Sequence, residues 1–86
     1  MARTKRPANI VGPQIGKRRN ALGLTQEQLA AKCQLHGLDF SRGTLSQIEA
    51  QIRCVKDREL FTLARVLKVS TDSLFPSELR KRRKAT

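Results

Sequence analysis

The chain has 86 residues, enough for one small domain, and 18 lysines and arginines against seven acidic residues give it a net charge of +11. Tryptophan and tyrosine are absent and only three phenylalanines occur, which disfavours both single-stranded nucleic acid read by aromatic stacking and an RRM-like sheet. The basic charge is concentrated at the two ends, so the sequence predicts a basic flexible arm over residues 1–9, one folded domain over 10–76 and a basic tail over 77–86.

A first helix is predicted from Pro13 to the residue before Gly23, because proline is tolerated in the first turn of a helix and glycine suits its end. Val11, Ile15 and Leu22 supply the apolar side of this helix.

A second helix is predicted over residues 26–36. Thr25 and Gln28 have the spacing of a capping box, and Leu24 and Leu29 have that of a hydrophobic staple. Gly37 suits the end of this helix, because glycine adopts positive φ at little cost.

A third helix is predicted over residues 42–51, with Ser41 as its cap and Leu45, Ile48 and Ile52 as its apolar face. Its outward side carries small or polar residues, namely Arg42, Gly43, Thr44, Ser46 and Gln47. Arginine pairs well with guanine, glutamine with adenine, and threonine with a thymine methyl group or a phosphate. A helix presenting these residues near its N-terminus fits the DNA major groove, and the alternative is that they form only a solvated helix face.

A fourth helix is predicted after Asp57, which is a plausible cap. Its apolar stripe is Leu60, Leu63, Ala64 and Leu67. Ser70 begins a short fifth helix that ends near Pro76, so we predict an all-α domain of five helices without strands.

Three segments in this order, GLTQEQLA, LSQIE and ELFTLARVLKVSTDSLF, resemble the lambda-repressor/Cro-like (XRE-like) helix-turn-helix proteins over residues 11–75. The resemblance implies a compact five-helix DNA-binding domain with the third helix as recognition helix. It also implies roles for individual residues: Arg42, Thr44 and Gln47 facing base edges, Gly43 and Ser46 close to the DNA, and Gln26 contacting a phosphate and bracing the third helix.

Further residues are assigned to the DNA backbone and to the domain itself. We expect backbone contacts from the basic residues Arg18, Arg53, Lys56 and Arg58. Arg19 and Glu49 match positions that often form an internal ion pair in the family, and the alternative for Arg19 is another phosphate contact.

The sequence departs from the family pattern in two places. The stretch between Gln26 and Glu49 is several residues longer than the commonest spacing, which leaves the register of the third helix on DNA less defined. The Asn-Gly that often follows the glutamate is Ala50-Gln51 here, so the usual asparagine contact to a phosphate is not carried over.

We favour a sequence-specific, double-stranded DNA-binding transcriptional regulator that acts as a homodimer, since one helix reads only a half-site. One alternative is a protein-interaction module, such as an antitoxin or an adaptor, with Phe40, Phe61 and Phe75 as its apolar patch. Another is an RNA-binding or nucleic-acid-coating protein that binds through its basic ends.

Other classes of protein are disfavoured. No His, Cys or Ser constellation indicates an enzyme, and Cys33, Cys54 and the single His36 lack metal-ligand spacing, so we expect no metal and no cofactor. Without a second domain, we expect no small-molecule ligand. No apolar run suits a signal peptide or a membrane span, and we expect a cytoplasmic protein without a membrane partner.

Overall fold

The structure, a computed structural model, describes residues 6–79, and these residues form helices without any strand. The elements in chain order are α1 (Gly12–Ala21), α2 (Gln26–Leu35), α3 (Arg42–Glu49), α4 (Asp57–Leu67) and a 3-10 helix (Thr71–Leu74). A helical turn at residues 77–79 reaches the end of the described part of the chain. The all-α, five-helix architecture predicted from the sequence is therefore confirmed. The predicted basic tail lies outside the described residues from residue 80 onward.

The helix starts follow the capping signals in the sequence. Thr25 accepts the backbone N–H of Gln28 at 3.0 Å while the Gln28 side chain accepts that of Thr25 at 2.8 Å, which completes the capping box. Ser41 accepts the N–H of Thr44 at 3.1 Å and so begins α3. The prediction for α4 was wrong by one residue, because Asp57 lies inside the helix.

Every helix contributes side chains to one core. The largest fully buried side chains come from all five elements: Ile15, Leu29, Cys33, Leu45, Ile48, Leu63, Leu67 and Leu74.

Three sequence assignments differ from the structure. Leu22 and Ile52 were predicted on apolar helix faces but are exposed, Ile52 to 71%, because α1 and α3 end before they reach these positions. Phe40 was predicted as part of an exposed patch, yet it is buried in the core with 2% exposure.

Helix α1 crosses the C-terminal end of α3 at very short range. A Cβ atom added at Gly12 would overlap the backbone carbonyl oxygen of Ile48, and one added at Gly16 would lie 3.1 Å from a carboxylate oxygen of Glu49. Glycine at position 12 lets the two backbones approach, and glycine at position 16 leaves room for the Glu49 side chain. Their four-residue spacing places both glycines on one side of α1. This close contact fixes the position of the C-terminal end of α3 relative to α1.

Asn9 is one of the two buried polar or charged residues in the described part of the chain. Its Nδ2 donates to the carbonyl oxygens of Ile48 (3.0 Å) and Arg53 (2.8 Å), and its Oδ1 accepts from the backbone N–H groups of Val11 and Gly12. These bonds hold Asn9 against the residues that follow α3 and at the start of α1. Residues 1–5 of the predicted basic arm lie outside the described residues.

Within residues 6–79, no helix is long and apolar enough to cross a membrane.

Candidate nucleic-acid interface

Helix α3 has one buried side and one free side. Leu45 and Ile48 are fully buried and anchor the helix to the core. The exposed residues on the free side are Arg42, Gly43, Ser46 and Gln47. Among residues 6–79, the side chains of Arg42, Ser46 and Gln47 have no hydrogen-bond or ion-pair partner. Four of the five residues that the sequence placed on the outward side of α3 are thus available to a ligand.

Thr44, the fifth of these residues, is less available than the sequence indicated. It is half-buried, and its hydroxyl oxygen lies 3.1 Å from that of Ser41, so the two side chains share a hydrogen bond at the start of α3. The threonine methyl group is consequently the part of this side chain that is best suited to a contact outside the domain.

The C-terminal end of α3 is fixed by a network around Glu49. Arg19 donates from Nε and Nη2 to the two carboxylate oxygens at 2.8 and 3.0 Å, and Gln26 donates from Nε2 at 3.1 Å. Arg19 also donates to the Leu24 carbonyl at 2.7 Å. The hydrogen bond with Glu49 raises the pKa of the Arg19 guanidinium, while partial burial opposes this shift. Three helices are therefore joined at one carboxylate, and Gln26 lies beside the last turn of α3.

Arg53 forms a second ion pair, which the sequence did not indicate. Its guanidinium donates to both carboxylate oxygens of Glu59 at 3.0 and 3.2 Å and lies 5.4 Å from the centre of the Phe40 ring. Glu59 also accepts the backbone N–H of Lys56 at 2.9 Å, which begins α4. The hydrogen bonds from Arg53 lower the pKa of Glu59, burial opposes this shift, and the single hydrogen bond from the Lys56 backbone lowers the pKa further. Arg53, predicted as a contact to the DNA backbone, is thus occupied inside the domain.

The other basic residues predicted along the DNA backbone lie on α1 (Arg18) and at the start of α4 (Lys56 and Arg58). Arg18 donates from Nε to the Leu67 carbonyl at 3.0 Å, so its guanidinium lies at the end of α4. Lys56 is exposed at the start of α4. Arg58 is exposed in a cleft that it shares with Gly37 and Phe61.

Comparison with known proteins agrees with this architecture. A family model described as helix-turn-helix matches residues 15–74, which is most of the chain and includes all of α2 and α3. The chain belongs to the lambda-repressor/Cro-like (XRE-like) helix-turn-helix family. Among curated proteins, no match to the chain was found.

Membership in this helix-turn-helix family supports a DNA-binding role, which is typically in transcription regulation. The family is one of DNA-binding domains and not of enzymes. The motif itself consists of α2, the connection over residues 36–41 and α3. In such motifs the second helix is the one that enters the major groove, and here that helix carries the free polar side.

Proposed function

We propose that this helix-turn-helix protein is a sequence-specific transcriptional regulator that inserts α3 into the major groove of double-stranded DNA. The observation that carries the proposal is the contrast between the two sides of α3. The inner side is fully buried at Leu45 and Ile48, whereas Arg42 and Gln47 on the outer side have no partner within residues 6–79. Side chains that are held by a rigid helix and left unpaired are what a base-reading surface requires.

The residues proposed to face base edges are Arg42, Gly43, Thr44 and Gln47. Arg42 and Gln47 supply the hydrogen-bonding groups that suit guanine and adenine, and Thr44 supplies a methyl group for thymine. Exposed Gly43 allows close approach of the helix backbone to the DNA.

Phosphate contacts are proposed for Ser46 and Lys56, which are exposed, and for Gln26, which has a second donor hydrogen beyond its bond to Glu49. The contacts that the sequence suggested for Arg18 and Arg53 are less favoured, because both guanidinium groups donate to acceptors inside the domain. A homodimer on DNA is proposed because one helix covers only a half-site.

The test begins with selection of bound sequences from a pool of random duplexes. Binding of Arg42→Ala and Gln47→Ala to single-base variants of the selected sequence is then compared with that of wild type. Each substitution is expected to lose roughly 1–3 kcal/mol at one base position and to leave the fold intact.

Arg65→Ala is the matched control for Arg42→Ala, because it removes the same exposed side chain from α4. It should weaken binding slightly and leave the ranking of duplexes unchanged. If Arg42→Ala and Gln47→Ala also keep the wild-type ranking at full affinity, α3 does not read the bases and the proposal fails.

A further inference from the structure

The segment before α1 is tied to the end of α3 by a set of hydrogen bonds. The Ala8 N–H donates to the Gln51 carbonyl at 2.9 Å, and the Gln51 side chain donates back to the Asn9 carbonyl at 3.0 Å. The buried side chain of Asn9 adds its bonds to the carbonyls of Ile48 and Arg53. Because Asn9 is buried and fully bonded, the place where the preceding residues leave the domain is fixed.

That place adjoins the free side of α3. Gly43, Gln47 and Ala50 are spaced by four and three residues, so they lie on one side of α3, and Ala50 is the exposed residue that follows its last residue, Glu49. The surface groove at this end is lined by Arg6, Pro7, Ala8, Ala50, Gln51 and Ile52. Arg6 is therefore placed next to Ala50, one helical turn beyond Gln47, which belongs to the surface that we propose to face DNA.

Arg6 has the chemistry of a phosphate ligand. It is exposed, and it has no ion-pair partner among residues 6–79. The sequence before it carries Arg3 and Lys5 and no acidic residue. A guanidinium forms paired hydrogen bonds with phosphate oxygens, and DNA phosphates flank any helix that lies in the major groove.

We propose that Arg6 binds a DNA phosphate at the edge of the site, next to the C-terminal end of α3, and that Asn9 and Gln51 hold it there. This inference rests on the proposed function, since it takes α3 as the helix in the groove. It goes further, because it assigns a fixed contact to a residue ahead of the helix-turn-helix motif rather than a general attraction by a basic end.

The test compares Arg6→Ala with Lys17→Ala on the selected duplex over a range of salt concentrations. Both substitutions remove one positive charge, but Lys17 is exposed on the side of α1 that faces Val69 and Leu74. For Arg6→Ala, the slope of log K against log salt should decrease in magnitude by about 0.9, so the loss of affinity between about 50 and 200 mM salt becomes about 3.5-fold smaller. Lys17→Ala should retain the wild-type slope.

A second measurement locates the contact. Ethylation of single phosphates should weaken wild-type binding at the edge of the site next to the end of α3, and this interference should disappear in Arg6→Ala. Equal slopes for Arg6→Ala and Lys17→Ala, or an unchanged interference pattern, would overturn the inference.

The two proposals fail in different ways. If Arg42→Ala and Gln47→Ala change the base preference while Arg6→Ala behaves like Lys17→Ala, only the Arg6 contact is refuted. If base preference is insensitive to α3 but changes in Arg6→Ala, the N-terminal segment reads a groove, and both the α3 proposal and the phosphate assignment are refuted.

Discussion

Breaking the ion pair between Arg19 and Glu49 should strongly destabilise this small domain. Arg19 joins the last turn of α1 to that of α3 through two hydrogen bonds of 2.8 and 3.0 Å, and both side chains are only 13% exposed. Removing one partner of a buried pair costs on the order of 3–5 kcal/mol, and an exposed pair is worth at most about 1 kcal/mol. Because Glu49 retains slight exposure and its bond from Gln26, we expect Arg19→Ala to lose about 2–4 kcal/mol.

Urea unfolding followed by circular dichroism measures this loss. Arg65→Ala is the control, since Arg65 is exposed and its guanidinium lies 5.6 Å from the centre of the Phe61 ring, a contact worth at most about 1 kcal/mol. Glu49→Gln keeps the size of the side chain but removes its charge, and it should be intermediate. Combining Arg19→Ala with Glu49→Gln should cost less than the sum of the two single losses, because the second change finds the pair already broken.

Two outcomes would contradict this role of the Arg19–Glu49 ion pair. If Arg19→Ala and Arg65→Ala both lose less than about 1 kcal/mol, the pair is as weak as an exposed one and does not hold α3 in place. Additive losses for Arg19→Ala and Glu49→Gln would show that the two residues stabilise the domain through separate contacts.

Three further substitutions should change the stability of the domain. Gly12→Ala should destabilise the domain severely in thermal unfolding, because its Cβ would overlap the Ile48 carbonyl oxygen and force α1 away from α3. The hydrogen bonds from Arg53 hold the folded-state pKa of Glu59 below its unfolded value, so the stability that Glu59 contributes is present above the unfolded pKa and is lost as pH falls through the folded pKa. Glu59→Gln should therefore be less stable than wild type at neutral pH, and this difference should shrink toward low pH in acid-dependent urea unfolding. Lys68→Gly should raise the melting temperature, because Lys68 ends α4 with a φ of 61°, where glycine avoids roughly 1 kcal/mol of strain.

Each of these predictions has a control in the same chain. Gly43→Ala should be tolerated, since its added Cβ would meet only Ser41 Oγ at 3.7 Å. Glu27→Gln, at an exposed carboxylate, should not reproduce the pH dependence. Lys32→Gly, inside α2, should lose about 1 kcal/mol and not gain stability. If a control variant shows the same change in stability, or the same pH dependence, as its test variant, the physical reason given for that test variant is wrong.

The features that could be predicted from the sequence are local ones. The capping signals lie within about one helical turn: Thr25 with Gln28 for α2, and Ser41 before Leu45 for α3. The starts of α2 and α3 could therefore be predicted from the sequence. The apolar spacing then gave the inward side of each helix, and Leu45 is buried as expected. The outward side of α3 follows from the same periodicity.

The features that were missed depend on how distant segments meet. The Nδ2 group of Asn9 has its partners 39 and 44 residues away, and an asparagine near a basic end resembles any other polar residue of a tail. Gly12 and Gly16 gave a weak signal in their four-residue spacing, which indicates a side of α1 without bulky side chains. Arg53 was assigned to DNA because a basic residue after α3 suits a phosphate contact, and only the fold shows Glu59 beside it.

The end of α3 shows the same limit of prediction from local sequence, at the single residue Gln51. The sequence predicted this helix to residue 51, but it ends at Glu49, and Gln51 has a φ of 66°. Glycine occupies this position in the frequent Asn-Gly of the family and adopts such a φ at little cost. A glutamine at this position does not predict a positive φ. Here the side chain of Gln51 bonds to the Asn9 carbonyl, a contact that helps to hold the conformation.

The buried attachments of α3 also bear on how it would read DNA. The bond from Asn9 to the Ile48 carbonyl and the network at Glu49 fix the C-terminal end of the helix, and the Ser41 cap fixes its start. The backbone entropy of α3 is therefore lost on folding, and only side chains such as Arg42 and Gln47 remain to be ordered on binding. Substitutions on the buried side should consequently weaken binding to all duplexes alike, whereas those on the free side should change which duplex is preferred.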